Sequence, residues 1–403
     1  MKTADYKSIP SDQNNLDQSL LKIMVKPFKV NISDQIIKDI YDKVKKYPWH
    51  EMPNDGGWEY GTSLDYMKEI SKYWVSKFDW RKHEGKINKF PNFIAKVDDI
   101  DIHFIHEKGS GPKPMPLLIN HGWPGTIVEF LHIVEKLAHP ERFGGKEEDA
   151  FDVIAPSLPG FGFSARPPRP IGPRKMADIF NNLMTKKLGY KNYLAQGGDW
   201  GGAITTWLAY DHSKTCNAIH INIFTMRHPD GPQNKEEKDW ETKFTKDQIM
   251  QDGYRTQQAT KPQTLSYGMM DSPVGIAAWI IEKFYFWSDL KNNNIESVYS
   301  KDTLLANIMV YIVTKTFNTA SWIYYGRREE GGRFLPKDFH RIEIPTAAAL
   351  FPAEMLEWPP RSYAERMYNI KRWTKMPKGG HFAALEQPDL LVDDIKAFAR
   401  TLR

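Results

Sequence analysis

The chain has 403 residues, of which 41% are hydrophobic and 26% are charged, and its formal net charge is +5. This composition is typical of a globular protein and excludes a disordered or collagen-like chain, and the length allows two or three domains or one large domain with insertions. The small positive charge is spread over the chain without a basic stripe, so nucleic-acid binding is not expected.

A single cysteine, Cys216, excludes an intrachain disulfide and a zinc site built on thiolates, and it fits a reducing compartment. Residues 1–16 contain no apolar segment typical of a signal peptide, and no run of ~20 apolar residues occurs along the chain. We therefore expect a soluble, cytoplasmic protein without a membrane anchor.

The N-terminal part, residues 1–90, is predicted to be an arm that packs onto the rest of the protein. Residues 17–90 carry amphipathic helical patterns followed by a segment rich in Trp and Tyr. Large aromatic side chains are mostly buried, so this segment is expected to cover a core rather than to form a free tail.

After the arm, the sequence shows a series of strand patterns that is interrupted by one long gap. Residues 94–97 and 100–106 alternate with period two around the turn Asp98-Asp99, as in a hairpin. Short apolar strands then alternate with helical stretches, which is typical of a mostly parallel sheet. These strands are expected at residues 117–120, 152–155, 193–196 and 218–223, and after a gap at 344–349 and 369–373, before a last helix at 388–402.

This alternation predicts an α/β core in two parts, residues 91–224 and 336–403. Residues 225–335 between them are predicted to form a helical insertion. In open α/β folds ligands bind at the carboxyl edge of the sheet, and the insertion is expected to lie there as a cap.

A glycine-rich turn directly after the 193–196 strand surrounds Asp199. Glycines at 197, 198, 201 and 202 are typical of a nucleophile elbow, a sharp strand-to-helix turn that exposes one side chain. A carboxylate there attacks a saturated, electrophilic carbon and forms an ester with the enzyme, whereas a serine would attack an acyl carbonyl. The alternative is a turn in which Asp199 only caps the next helix.

A second turn, His121-Gly122-Trp123-Pro124-Gly125, follows the 117–120 strand, where an oxyanion-hole loop would lie. A tight turn with a cis proline would let the backbone N–H groups of Trp123 and Trp200 converge on one oxygen. The alternative is an ordinary turn at a strand end, where Gly and Pro are common.

His381, which follows two glycines and precedes the last helix, is the predicted base. In folds with a nucleophile elbow the catalytic residues follow the chain in the order nucleophile, acid, histidine, and His381 stands in the last place. A base histidine needs a carboxylate that fixes its tautomer. Glu354, soon after the 344–349 strand, is the predicted partner, with Glu357 as the alternative.

Together these motifs resemble the microsomal-type epoxide hydrolases, which have the α/β-hydrolase fold. The matching segments are residues 78–81, 121–125, 197–201, 351–354 and 379–382, and the similarity extends from about Pro27 to Phe398. The resemblance implies that two cap tyrosines, Tyr254 and Tyr324, donate hydrogen bonds to the epoxide oxygen, with Tyr325 as the alternative to Tyr324. A phenol with a pKa of about 10 is an adequate acid for a leaving alkoxide.

The expected activity is conversion of hydrophobic epoxides to vicinal diols. Asp199 would form an ester with the substrate, and water activated by His381 and Glu354 would hydrolyse it, without a metal or an organic cofactor. Apolar residues of the insertion are consistent with a hydrophobic pocket or with the core of the cap.

Two other functions fit part of these motifs. A haloalkane dehalogenase also uses an aspartate followed by a tryptophan, but the paired tyrosines favour an epoxide. A non-catalytic receptor on the same fold would be expected to lack Asp199, Glu354 or His381. The sequence leaves open the preferred epoxide, a homodimer, and a role in detoxification, hormone turnover or catabolism of aromatic hydrocarbons.

Overall fold

A computed structural model describes residues 25–54, 56–249 and 251–403 of the chain. Residues 1–24 lie outside the described residues. The start of the predicted N-terminal arm and the prediction that residues 1–16 are not a signal peptide both fall on this segment.

A central sheet of nine strands runs through the described part of the chain, in the order β1-β2-β3-β5-β4-β6-β7-β8-β9. From β5 to β9 all neighbours are parallel, whereas β1, β2, β3 and β5 pair antiparallel. The predicted hairpin and the mostly parallel sheet are therefore confirmed. The strands are β1 (Val25–Phe28), β2 (Asn92–Val97), β3 (Ile100–Glu107), β4 (Met115–Asn120), β5 (Phe151–Pro156), β6 (Tyr193–Gly197), β7 (Cys216–Ile221), β8 (Ile342–Leu350) and β9 (Tyr368–Lys375).

The central strands are buried on both faces, which explains why short apolar runs identified them. All six residues of β5 and all five of β6 are buried, as expected for parallel strands covered by helices. The prediction of helical structure from residue 17 onward is wrong at β1. This strand has Pro27 in its middle and pairs only with β2, because proline is tolerated at a sheet edge where its missing N–H needs no partner.

Three helices of the N-terminal arm are described: α1 (Asp34–Lys45), α2 (Leu64–Ser76) and α3 (Trp80–Asn88). Each begins after a side-chain cap, since Ser33, Ser63 and Asp79 accept hydrogen bonds from backbone N–H groups of the first turn.

The arm contacts the helices that follow β7. The Tyr73 hydroxyl donates to Asp302 Oδ1 at 2.9 Å, and Thr62 Oγ1 donates to the Ala278 carbonyl at 2.7 Å. Trp74 and Trp80 are fully buried at this junction of aromatic side chains. The aromatic residues of the arm thus fill an interior, as their density in the sequence suggested.

The remaining helices lie beside the sheet and in the long interval between β7 and β8. Those beside the sheet are α4 (Val134–Ala138), α5 (Pro173–Asn182), α6 (Asp199–Asp211), α13 (Arg361–Met367), α14 (Ala383–Glu386) and α15 (Pro388–Ala399). Those between β7 and β8 are α7 (Lys235–Ile249), α8 (Gly253–Thr260), α9 (Pro262–Met269), α10 (Pro273–Phe286), α11 (Lys301–Val313) and α12 (Phe317–Glu329).

The candidate site residues lie just beyond the carboxyl ends of parallel strands. Trp123 follows β4, Asp199 follows β6, Glu354 follows β8, and His381 follows β9. Because parallel strands end at the same edge of a sheet, these four segments meet there.

Candidate active site

Asp199 sits at the sharp turn between β6 and α6. Its φ angle is +47°, in the left-handed region that residues other than glycine rarely adopt. The turn leaves no room for larger neighbours, because a Cβ on Gly197 would overlap the Gly201 carbonyl, and a Cβ on Gly201 would overlap that of Asn120. These close backbone contacts explain why the predicted elbow requires glycine at both positions.

Asp199, His381 and Glu354 form a connected chain of side chains. His381 Nε2 lies 3.3 Å from Asp199 Oδ2, and His381 Nδ1 lies 2.7 Å from Glu354 Oε1. The Glu354 side chain is 1% exposed and that of Asp199 is 22% exposed, so the aspartate is the reachable end. Glu357, the alternative acid, instead pairs with Lys243 at 2.8 Å.

The two carboxylates decide the charge of His381. Burial opposes a charged imidazole, but the nearby Glu354 and Asp199 carboxylates together raise the pKa of His381 well above its usual range. The imidazole is therefore protonated on both nitrogens and positively charged as long as Asp199 is a free anion.

The loop after β4 approaches Asp199 with its backbone. The Trp123 N–H donates to Asp199 Oδ1 at 2.7 Å, and the Trp123–Pro124 peptide bond is cis. The Trp200 N–H belongs to the first turn of α6, where backbone N–H groups have no partner within the helix. Helix α11 fixes the loop, since Asn307 Nδ2 donates to the Pro124 carbonyl at 2.8 Å and the Tyr311 hydroxyl donates to Gly125 at 2.7 Å.

Tyr254 on α8 and Tyr324 on α12 both line the space next to Asp199. The Tyr254 ring stacks on Trp123 at 5.1 Å between centroids, the Tyr324 ring lies 4.7 Å from the Trp200 ring, and the tyrosine rings are 5.8 Å apart. Burial raises the pKa of both phenols, and the charge of Asp199 adds to this effect. Both hydroxyls are therefore protonated donors at neutral pH.

The neighbouring Tyr325 lies elsewhere. Its ring packs under the Arg328 guanidinium at 4.3 Å. The structure thus brings Asp199, His381, Glu354, Tyr254, Tyr324, Trp123 and Trp200 together, and leaves the two alternatives, Glu357 and Tyr325, outside this group.

Known proteins are similar to this chain in both sequence and fold. The family model for the epoxide hydrolase N terminus matches residues 25–130, and the model for the alpha/beta hydrolase fold matches residues 115–304. Epoxide hydrolase 1 of Sus scrofa is 36% identical over 401 residues, which cover 93% of this chain and 88% of that protein.

The chain belongs to the epoxide hydrolase family. The solved structure of juvenile hormone epoxide hydrolase from Bombyx mori is similar, with a TM-score of 0.84 and 28% identity over 94% of this chain and 96% of that one. That of the Aspergillus niger epoxide hydrolase has a TM-score of 0.82 and 28% identity over the same shares of the two chains. The family resemblance and the α/β-hydrolase fold expected from the sequence are confirmed.

Two carboxylates that the sequence analysis did not identify hold the His381 loop of this epoxide hydrolase family member. Glu386 accepts the N–H groups of Asp289, Gly380 and Phe382 at 2.8 to 2.9 Å. Asp289 in turn accepts the Gly379 N–H at 2.8 Å. Burial raises the pKa of Glu386 to about 7 despite these bonds. No local motif marks either residue, and the contacts of Asp289 with Glu386 and Gly379 join segments that are far apart in sequence.

Glu129 is a third carboxylate that the sequence analysis missed. It lines the same cavity, of about 20 Å³, as Asp199 and His381. Burial raises the pKa of Glu129 to about 8; the cationic His381 opposes this shift and the Asp199 carboxylate adds to it. A signal was present in hindsight, because Glu129 follows the motif 121–125 closely, but an acid in a helical turn is usually solvated.

The described residues contain neither a metal-binding cluster nor a helix that could span a membrane. No group of three or more His, Cys, Asp or Glu side chains among these residues is arranged to hold a metal ion. No helix there is both long and apolar enough to span a membrane.

Proposed function

We propose that the protein hydrolyses epoxides to vicinal diols through a covalent ester on Asp199. One observation carries the proposal: the Asp199 carboxylate lies between two protonated phenols, Tyr254 and Tyr324, and the buried pair His381–Glu354. The phenols suit the oxygen that leaves carbon in the first step, and the imidazole suits the water of the second.

In the first step an oxygen of Asp199 attacks an epoxide carbon. Oδ1 already accepts the Trp123 N–H, so Oδ2 is the oxygen that forms the new bond. The carbon–oxygen bond of the ring breaks, and the alkoxide takes a proton from Tyr254 or Tyr324, which solvent then replaces. Oδ1 becomes the carbonyl oxygen of the ester.

In the second step water attacks the ester carbon. Esterification removes the charge of Asp199, one of the two carboxylates that hold the proton on His381, so the imidazole can lose that proton and act as a base. The negative charge that develops on Oδ1 meets the Trp123 N–H and that of Trp200, and one such donor is worth about 3 kcal/mol in other hydrolases. His381 gives the proton it took from water to the ester oxygen as the diol leaves, and the new carboxyl group returns a proton to His381, which restores the free carboxylate.

The substrate class, location and assembly belong to the same proposal. Trp123, Phe130 and Phe382 line the cavity with aromatic rings, which suit a hydrophobic group on the substrate. A cytoplasmic location is supported by Cys216, which is buried and is the only cysteine of the sequence. A homodimer stays a prediction, which light scattering on the purified protein would test.

A single turnover in ¹⁸O-water with excess enzyme and styrene oxide tests the ester route. The expected result is ¹⁸O in the Asp199 peptide and none in the first diol, because water attacks the carbonyl carbon of the aspartyl ester. A labelled diol with unlabelled Asp199 would show direct attack by water and overturn the mechanism. Release of bromide from 1-bromobutane, without diol from styrene oxide, would instead identify a dehalogenase.

A further inference from the structure

A second small cavity, of about 40 Å³, shares Asp199 as part of its wall. Its lining also includes Trp200, Tyr254 and Tyr324, and therefore both phenols proposed to meet the epoxide oxygen. Four arginines from four different segments complete it: Arg227 after β7, Arg255 on α8, Arg327 on α12, and Arg333 between α12 and β8.

Only one of these arginines has a carboxylate partner among the described residues. Arg255 Nε donates to Asp252 at 2.7 Å. Arg227 donates only to the carbonyls of Phe224 and Met226, at 3.3 and 3.2 Å.

The other two arginines differ from each other. The Arg327 guanidinium donates to the carbonyls of Thr225 at 2.6 Å and Gly332 at 3.3 Å, and Nη2 also lies 3.6 Å from the sulfur of Met226. The Arg333 guanidinium makes no hydrogen bond or ion pair within the described ranges, and lies 5.4 Å from the Phe244 ring centroid.

Three like charges are thus held close together beside the nucleophile. The Arg227 N–H donates to the Arg333 carbonyl at 2.7 Å, which ties two of the arginine segments to each other. Burial and the neighbouring arginines lower the pKa of Arg327 to about 9 and that of Arg333 to about 10. Burial alone lowers the pKa of Arg227 to about 10. All three remain cations at neutral pH.

Few acids act on this cluster. Asp252 is paired with Arg255 and also acts on Arg333, Asp199 acts on Arg327, and Glu241 acts on Arg227. Carbonyl oxygens satisfy the N–H groups of Arg227 and Arg327 but carry only partial charges. An anion in the cavity would meet charge-assisted donors and relieve the repulsion among the guanidinium groups.

A purely structural role accounts for part of the cluster only. Arg227 and Arg327 fasten the segments at 224–226 and at Gly332, and their guanidinium groups lie over aromatic rings, Arg227 at 4.2 Å from Phe244 and Arg327 at 5.1 Å from Trp200. Arg333 fastens nothing with its side chain, although it faces the cavity.

We propose that this cavity is an anion subsite and that the protein acts on epoxides carrying an anionic group, in the simplest case a carboxylate. The inference rests on the proposed epoxide hydrolysis and adds to it the charge of the substrate. Arg327 and Tyr324 both contact the Trp200 ring, at 5.1 and 4.7 Å from its centroid, so the anion and the epoxide oxygen would be separated by about the size of one aromatic ring.

A matched pair of substrates tests this inference: 4-(oxiran-2-yl)benzoate and its methyl ester, which differ in charge. The wild-type protein is expected to have at least a tenfold higher kcat/KM for the benzoate, mainly through a lower KM. In Arg333→Gln the ratio of the two kcat/KM values should fall about tenfold, the size of one charge-assisted contact. Arg333→Lys, which keeps the charge, should restore part of the preference.

Arg328→Gln is the matched control, because Arg328 is an exposed arginine of α12 that pairs with Glu329 and does not line the cavity. It should leave the ratio unchanged. Equal kcat/KM values for the two epoxides in the wild type, or the same ratio in Arg333→Gln as in the wild type, would overturn the inference while leaving epoxide hydrolysis intact.

Binding without turnover separates the two proposals. Calorimetry with 4-methylbenzoate should show binding to the wild type that weakens about tenfold in Arg333→Gln and is kept in Arg328→Gln. This result would support the anion subsite even if neither epoxide were opened, an outcome that would refute the proposed function alone. Equal binding of 4-methylbenzoate to the wild type and to Arg333→Gln would overturn the subsite.

Discussion

Replacing Glu354 by Gln removes one negative charge beside His381 and changes little else. The two side chains are buried, with Glu354 Oε1 2.7 Å from His381 Nδ1. An amide can fill the same space, but it neither offsets a positive imidazole nor specifies the tautomer in which Nδ1 carries the proton. We therefore expect Glu354→Gln to weaken His381 as the proposed base and to leave Asp199, the proposed nucleophile, in place.

The size of the effect follows from the geometry. A 2.7 Å contact between Oε1 and Nδ1 puts the centres of charge about 4 Å apart, and at an effective dielectric constant of about 20 two unit charges at that distance attract by about 4 kcal/mol. Loss of that attraction lowers the pKa of His381, because the Glu354 carboxylate is one of the groups that raise it. Loss of general-base assistance should slow hydrolysis of the ester by ~10²- to 10⁴-fold.

Rapid-quench measurements with styrene oxide separate the two steps. In Glu354→Gln the ester on Asp199 should form at a rate within about tenfold of the wild type and then accumulate, visible by mass spectrometry as a protein adduct of one substrate. Glu357→Gln is the matched control, since Glu357 pairs with Lys243 at the surface. Hydrolysis of the ester at the wild-type rate in Glu354→Gln would refute the role given to this carboxylate.

Three further changes test separate parts of the structure. Tyr324→Phe should slow formation of the ester by ~10²-fold, the usual loss for one donor to a developing oxyanion, with Tyr325→Phe as a near-neutral control; equal single-turnover rates in the two variants would contradict the assignment. Because burial raises the pKa of Glu129 to about 8, its contribution to the free energy of unfolding is present below pH ~4.5 and is lost as the pH rises through 8. In urea denaturation Glu129→Gln should therefore gain stability relative to the wild type between pH 5 and 9, by up to ~1.4 kcal/mol per pH unit, and parallel curves would rule this out. Gly201→Ala should lower the free energy of unfolding by ~1–3 kcal/mol through overlap with the Asn120 carbonyl, whereas Gly85→Ala, with open space around it in α3, should not destabilise.

The parts of the fold that could be predicted carry local signals. Strands such as β5 and β6 are short apolar runs between turn residues, and Asp199 is surrounded by glycines that only a tight turn requires. The edge strand β1 has no such signal, since a four-residue segment containing Pro27 alternates too briefly to stand out from the helical patterns around it.

The candidate site divides in the same way. His381 and Glu354 could be chosen because their order along the chain and their place after a strand are properties of the sequence. Asp289 and the arginines around Arg333 could not, because their significance lies in contacts between segments far apart in sequence. An arginine next to a glycine-rich turn has the same local pattern whether it faces solvent or a cavity.

The charge of Asp199 couples the two halves of the site. After burial, it is one of the causes that raise the pKa of Tyr254, and it also acts on Tyr324, while on the other side it helps to keep the proton on His381. Formation of the proposed ester would remove that charge from both sides at once. The phenols would become stronger acids just as an alkoxide needs a proton, and the imidazole would become able to release its own just as water needs a base. The same carboxylate would thus act as the nucleophile and as the switch between the two steps, which requires it to lie within reach of both groups, as it does here.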